Sequence, residues 1–523
     1  MSQRLLAQLS HIGHEVSVLT VSDNDAIKQA EQTIRLIQPE IIIAPYLKTA
    51  IPQEIWHNFR CWIVHPGIKG DRGASSLDWA ILKNKSEWGV TLLQASDEWD
   101  TGDIWASHSF TIESETKSEL YRGKCAQAAI ACIMEALEKL TRGDKPEPLD
   151  YSRPDVKGCW NNPMRQRDRS IDWEKDSAQT ILRKIRCSDS QPGVLDDLGL
   201  GQGEFHLYGA HLENLLIGDR PRQIIAQRQG AICITTIKGA IWISHLKRKN
   251  AFKLPAALIL KDYLQLHKVV EVPVPVVIAN SKWDTYRDIW YEEKHKVGYL
   301  HFNFYNGAMG TDQCIRLREE YLRARERETK VIVLMGSRDF WSNGIHLNLI
   351  EAAEDSQDES WRNINAINDL ILEILRTDDH LTIAAMQGNA AAGGVMLALA
   401  CDQVFARNGI VLNPHYRKME LHGSEYWTYS LPRRVGQEVA QKLTQACEPI
   451  VPSQAKLINL IDDYFGETPD EFRKIVVQRA EEIARHRDFE EFLAAKNRRR
   501  ALDEQQKPLS EYREQELEHM KKD

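Results

Sequence analysis

Trp62-Ile-Val-His65-Pro-Gly67-Ile-Lys-Gly70-Asp-Arg72-Gly73 sets a histidine, a proline and three glycines at the end of a short apolar run. The run itself, Cys61-Trp-Ile-Val64, repeats the pattern of Glu40-Ile-Ile-Ile-Ala44, which is bounded by Pro39 and Pro45. Such short apolar runs are what buried parallel strands require. Glu15-Val-Ser-Val-Leu-Thr20 reads as a further strand. Between the runs lie helical patterns: residues 25–37 with Ile27, Ala30, Ile34 and Ile37 on one face, residues 75–82, and a long amphipathic stretch over residues 117–142 closed by Gly143. The alternation predicts an α/β, Rossmann-like domain with an open parallel sheet over residues 1–146. One irregularity is that the chain opens on a helix, residues 3–9, where such units open on a strand.

Further along, the pattern changes twice. Residues 144–151 are charged and carry prolines, as a linker does. Residues 150–262 hold one helix (177–185) and short strands at 203–208, 222–227, 231–237 and 240–245, separated by glycines. That spacing predicts a small antiparallel β-barrel, OB-like in kind. Residues 263–282 form a connector, stiffened by Glu271-Val-Pro-Val-Pro-Val276. From Trp283 the alternation returns, with strands at 297–304, Val331–Met335 and Leu381–Met386 and helices at 314–325, 360–375 and 393–401. The charged tail from Asp488 reads as a solvated terminal helix.

Composition limits the function classes. The chain has 523 residues, 42% hydrophobic and 27% charged, which excludes a largely disordered protein. A net charge of -8 disfavours a nucleic-acid-coating role. The nine cysteines are sparse and include no CxxC pair, so a disulfide scaffold is not expected. Arg4 and His11 interrupt the N-terminal apolar pattern, and no run is long enough to span a membrane. A cytoplasmic location is the expectation. No His, Cys or carboxylate cluster has zinc-ligand spacing, so no metal is expected.

His65 lies just past a strand end, where α/β sheets bind ligands, and glycines beside it permit close approach. Asp97-Glu-Trp-Asp100-Thr-Gly-Asp103 can bring a carboxylate to it for acid–base work. These residues resemble the folate-dependent formyltransferases, whose pattern N-x-H, R-G, G-V-T, D-T-G-D corresponds here to Ile63-Val-His65, Arg72-Gly73, Gly89-Val-Thr91 and Asp100-Thr-Gly-Asp103. Arg169-Ser-Ile-Asp172-Trp173 and Arg186-Cys-Ser-Asp-Ser-Gln-Pro192-Gly193 resemble that family's second domain. The resemblance implies 10-formyltetrahydrofolate as co-substrate. It makes His65 and Asp103 catalytic, and puts Ile63, Gly67, Arg72 and Asp100 around the ligand. One departure stands out: Ile63 replaces an asparagine whose amide helps hold the formyl oxygen, and it cannot donate a hydrogen bond.

A second constellation follows two strands of the last domain. Val331–Met335 runs into Gly336-Ser-Arg-Asp-Phe-Trp-Ser-Asn-Gly344-Ile345, and Leu381–Met386 into Gln387-Gly-Asn-Ala-Ala-Ala-Gly393-Gly394. Strand-to-helix junctions of this kind leave backbone N–H groups free to polarise a carbonyl. With Cys401-Asp402 and Ser430-Leu-Pro-Arg-Arg-Val-Gly436, the pair resembles the crotonase (enoyl-CoA hydratase/isomerase) superfamily. That implies a crotonase-like domain over residues 283–523 that binds coenzyme A. The N–H groups of Ile345 and Gly393 would hold the thioester oxygen, with Gly344 and Gly394 beside them. Met396 and His415 stand where hydratases carry glutamates, which speaks against water addition to an enoyl-CoA. Tyr416 and Glu425 are the candidates for proton handling instead.

The joining of these modules resembles a family of hydrogenase maturation factors. It implies formyl transfer from 10-formyltetrahydrofolate to CoA, decarbonylation of formyl-CoA, and CO as a ligand for the iron of NiFe hydrogenase. Hydrogenase maturation proteins are the implied partners, with no nucleic acid and no membrane. Two other readings stay open: a formyltransferase acting on another acceptor with a non-catalytic crotonase module, and a CoA-binding scaffold.

Overall fold

The computed structural model describes residues 1–47, 49–277 and 284–522. Residues 278–283, which include the end of the expected connector and the boundary at Trp283, lie outside the described residues. The chain forms two compact units. One comprises residues 1–226, 231–251 and 255–260, the other residues 227–230, 252–254 and 261 onward.

The first unit carries a four-stranded sheet in the order Ile42–Pro45, Cys61–His65, Glu87–Gln94, Ile104–Thr111. Only the first pair is parallel, and the next two are antiparallel. The wholly parallel expectation therefore fails from Glu87–Gln94 onward; for the last pair the connection, residues 95–103, is too short for the crossover that a parallel partner needs. Glu15 to Thr20 is not a strand either: it pairs with no described strand, and Val18 and Leu19 are exposed. The long helix expected over residues 117–142 is two helices, Lys117–Arg122 and Lys124–Thr141. Gly123 separates them with a non-helical backbone (φ -98°, ψ -100°). Side chains alternate along Cys61–His65. Trp62 and Val64 enter the core with Leu92, Ala129 and Ile133, while Cys61 and Ile63 pack with Ile55 and Ala95. His65 thus falls on the Ile63 face, at the strand end.

The second part of this unit is β-rich. Its strands run Val194–Asp196, Phe205–Glu213, Ala240–Lys247, Ala231–Thr235, Ile224–Arg228 across the sheet. The helix Ala178–Arg186 begins at Ser177, whose side chain accepts from the Thr180 N–H.

The other unit is built on a six-stranded sheet. Its order is Ile289–Lys294, Val297–Phe302, Val331–Met335, Leu381–Met386, Gln403–Arg407, Asp463–Phe465. The first pair is antiparallel and the rest parallel. Val331–Met335 is buried along its whole length, as its unbroken apolar sequence requires. Three short strands, Phe340–Ser342, Asn389–Ala391 and Leu412–Asn413, make a second small sheet next to the glycine-bearing junctions. The charged tail is not simply solvated. It forms the helices Phe489–Gln506 and Leu509–Met520, and Leu509 and Glu516 are buried. The sequence pattern hides this because only a few side chains of those helices point inward. Among the described residues no helix is long and apolar enough to cross a membrane.

Leu334 sits in the centre of this core, 1% exposed. Leu334→Ala is expected to lower unfolding stability by about 2–5 kcal/mol, from lost burial and the cavity left behind. Urea unfolding followed by tryptophan fluorescence measures it.

Candidate active sites

In the first unit His65 ends its strand buried, 4% exposed, with a carboxylate on each side of the ring. Its Nε2 lies 2.9 Å from Asp71 Oδ2, and its Nδ1 lies 3.3 Å from Asp100 Oδ1. The surrounding loops are fixed locally. Thr91 Oγ1 donates to the Gly67 carbonyl (2.8 Å), and Asn161 Nδ2 donates to Asp71 Oδ1 (3.0 Å). Gly67 must be glycine, since a β-carbon there would overlap both His65 Nε2 and Asp71 Oδ2. Asp100 takes a left-handed backbone (φ 58°), and its second oxygen accepts the Gly73 N–H at 3.0 Å. Arg72 does not reach the ring. It ties its loop to the next one through the Trp99 carbonyl and Glu98.

Asp103, expected to orient the imidazole, is exposed and makes its described contact through its backbone carbonyl, which accepts from Gln94 N. The physical reason lies in the turn. Gly102 is pressed against the Gln94 carbonyl, and the inward-turned residue is Asp100. The sequence reading had Asp100 in the ligand pocket and missed Asp71 altogether. A lone aspartate in a Gly-Asp-Arg-Gly loop carries no spacing signal that separates it from a surface residue.

Burial opposes a charge on His65, but hydrogen bonds and attraction from Asp100 and Asp71 outweigh it and hold the ring at a pKa of about 9. Burial likewise pushes the Asp100 carboxyl up, and the His65 ring and the Gly73 N–H more than reverse it, leaving it below the usual range. The resting site is therefore an imidazolium between carboxylates. It is built to give a proton or to hold negative charge, rather than to take a proton first.

In the other unit the two junctions meet. Gly344 (φ 80°) lies so close to the next helix that a β-carbon on it would be 3.2 Å from the Gly393 nitrogen. A β-carbon on Gly394 would overlap the Ser342 carbonyl. Ala392 precedes the helix Gly393–Leu399 with a left-handed φ of 47°. The N–H groups of Ile345 and Gly393 have no acceptor among the described residues. Glu425 stands directly over this point: a β-carbon on Gly393 would overlap its Oε1. Glu425 Oε2 accepts from the Tyr416 hydroxyl at 2.8 Å and from Ser424 N at 3.0 Å. The Glu425 N–H donates to Asn368 Oδ1 at 2.7 Å. Burial raises the Glu425 carboxyl above its ordinary range, and burial followed by the Glu425 charge raises the Tyr416 phenol. Met396 is fully buried among apolar neighbours, and His415 is buried with no partner for Nδ1 among the described residues. Neither takes the place of a hydratase glutamate.

The comparisons with known proteins follow the same division. The formyl transferase family matches residues 6–137, its C-terminal domain family residues 163–264, and the enoyl-CoA hydratase/isomerase family residues 313–522. The hydrogenase maturation factor HoxX of Bradyrhizobium diazoefficiens is 43% identical over 526 residues, covering 100% of this chain and 89% of that protein. The chain belongs to the HoxX/HypX family of hydrogenase maturation factors. The crystal structure of HypX from Aquifex aeolicus, in complex with tetrahydrofolic acid, has 46% sequence identity and a TM-score of 0.94. It covers 99% of this chain and 90% of that one. The methionyl-tRNA formyltransferase of Citrifermentans bemidjiense is 25% identical over 241 residues, covering 45% of this chain and 73% of that protein. Family membership thus joins a formyltransferase part and a crotonase-like part in one maturation factor.

The His65 clamp makes a direct prediction. The raised pKa contributes stability that is fully present below the unfolded value of about 6.5 and is lost as pH rises through about 9. In Asp100→Asn the ring pKa is expected to fall back toward 6.5, because the larger of its two carboxylate partners is gone. Imidazole NMR titration checks this, and a midpoint that stays near 9 contradicts the assignment.

Proposed function

We propose that this family member transfers a formyl group from 10-formyltetrahydrofolate to coenzyme A, then splits formyl-CoA into CO and CoA for the iron of NiFe hydrogenase. The observation that carries the reading is Glu425 Oε1 packed against Gly393, where a β-carbon would overlap it. A base in that place faces the acyl carbon of a thioester whose oxygen rests on the Ile345 and Gly393 N–H groups. An enoyl-CoA hydratase needs its glutamates elsewhere, and Met396 and His415 cannot replace them.

In the first step, a carboxylate of the His65 clamp takes the thiol proton as the sulfur attacks the formyl carbon. His65 gives its proton to the departing folate nitrogen. Transfer of the thiol proton from carboxylate to imidazole restores the pair. The products are tetrahydrofolate and formyl-CoA, and atoms and charges balance. Ile63 leaves no amide to hold the oxyanion, so the charged ring carries that duty. A thiolate nucleophile suits the site, because it attacks more readily than an amine at neutral pH.

In the second step, the Ile345 and Gly393 N–H groups polarise the formyl oxygen. One such donor is worth about 10²–10³ in rate. Glu425 takes the formyl proton, the carbon–sulfur bond breaks, and the sulfur leaves with its electron pair. The proton held by Glu425 then passes to the thiolate, giving CO and CoA. Tyr416 keeps the carboxylate aimed through its hydrogen bond to Oε2.

The test is incubation of the purified protein with 10-formyltetrahydrofolate and CoA, with released tetrahydrofolate and haemoprotein-trapped CO as readouts. CO is expected only when both substrates are present. His65→Ala is expected to lose both signals. Glu425→Gln is expected to lose CO by about 10²–10⁴-fold, the usual range for a general base, while tetrahydrofolate release continues. Tyr416→Phe follows Glu425→Gln in direction. Tetrahydrofolate release without CO from the unaltered protein contradicts the decarbonylation step.

A further inference from the structure

The Tyr416–Glu425 loop is gripped from a part of the chain far away in sequence. The C-terminal helix Leu509–Met520 turns one face toward it, with Arg513, Glu516 and Met520 at helical spacing. Arg513 anchors that helix to the helix Ser356–Leu375, through Asp369 (2.6 Å) and Asn365 Oδ1 (2.9 Å). Glu516, 1% exposed, accepts the Tyr426 N–H through Oε2 (2.9 Å) and the Thr428 N–H through Oε1 (2.9 Å). The Thr428 hydroxyl donates to the same Oε1. Met520 Sδ accepts the Gly423 N–H at 3.0 Å, and the His519 ring stacks on His422 with centroids 4.4 Å apart.

The placing of these bonds matters. Glu425 and Tyr426 are consecutive left-handed residues (φ 64° and 56°), and neither is glycine. Each such residue is strained and persists only where its surroundings hold it. Tyr426 is the N-cap of the helix Trp427–Val435, yet no side chain of that helix's own start caps it. The orphan N–H groups are taken by a buried carboxylate from the far end of the chain. Asn368 holds the Glu425 N–H from the other side.

We infer that Glu516 is a positioning residue for the thioester site: by capping the turn after Glu425 it keeps the strained Glu425–Tyr426 pair in place and so keeps the Glu425 carboxylate over Gly393. The inference rests on the proposed role of Glu425 as the base of the CO-forming step. Glu516 itself touches no substrate. Its loss lets the turn relax and swings the base away from the acyl carbon, leaving the His65 clamp unchanged.

Full-length Glu516→Ala and Glu516→Gln are assayed with 10-formyltetrahydrofolate and CoA for tetrahydrofolate release, formyl-CoA and CO. Glu516→Ala is expected to lose at least tenfold in CO turnover and to accumulate formyl-CoA. Tetrahydrofolate release and the half-saturating CoA concentration are expected to stay within twofold. Glu516→Gln keeps an oxygen for Thr428 but sets an N–H group against that of Tyr426, so its expected loss is smaller, about threefold. If the alanine variant does not fold, the glutamine variant alone decides. Undiminished CO, or losses of CO and tetrahydrofolate release in equal measure, overturn the inference. Wild-type protein that releases tetrahydrofolate but makes no CO fails in a distinguishable way, since it removes the role of Glu425 and the inference with it.

Discussion

A carboxylate kept out of water against Gly393 is the constraint around which the second candidate site is arranged. Burying such a group is costly unless it is hydrogen-bonded. Glu425 meets that demand through the Tyr416 hydroxyl and the Ser424 N–H and hydroxyl. Gly393 lacks the β-carbon that would collide with it, and two non-glycine residues are held left-handed to aim it. Local strain, the glycine and the distant cap at Glu516 all serve one geometry.

The formyl site is held by an opposite device. There a cation is buried between two anions, and the pairing outweighs the desolvation that disfavours it. Pairing raises the His65 ring and burial raises the Glu425 carboxyl, which suits the proposed roles of proton donor and base. In the proposed reaction the two sites divide the chemistry between them: one gives a proton to a leaving nitrogen, the other takes a proton from a one-carbon acyl group. In that proposal coenzyme A connects them chemically, as acceptor in the first step and as leaving group in the second.

Much of this was legible in the sequence because it rests on backbone requirements. Buried parallel strands show as apolar runs, and Val331–Met335 and Leu381–Met386 fall where the pattern puts them. Glycines at close approaches, such as Gly67 and Gly393, are visible for the same reason. Tyr416 and Glu425, the candidates named from what replaced the hydratase glutamates, are brought together by one hydrogen bond. What escaped depends on tertiary partners. Glu15 to Thr20 reads as a strand in sequence but pairs with no described strand. Asp100 and Asp103 are equal in a one-dimensional reading, and only the left-handed turn brings Asp100 to the ring. Asp71 and Glu516 look like surface charges. Glu516 sits in a tail whose composition points to solvent, and only its three-dimensional partners reveal a buried cap.

The most direct test is a single turnover of Glu425→Gln protein with CoA and 10-formyltetrahydrofolate labelled with carbon-13 in the formyl group, followed by mass analysis of the CoA species. The account predicts that labelled formyl-CoA accumulates in step with tetrahydrofolate release, because the thioester forms and its base is missing. Tetrahydrofolate release accompanied by labelled formate, with no formylated CoA, would contradict it.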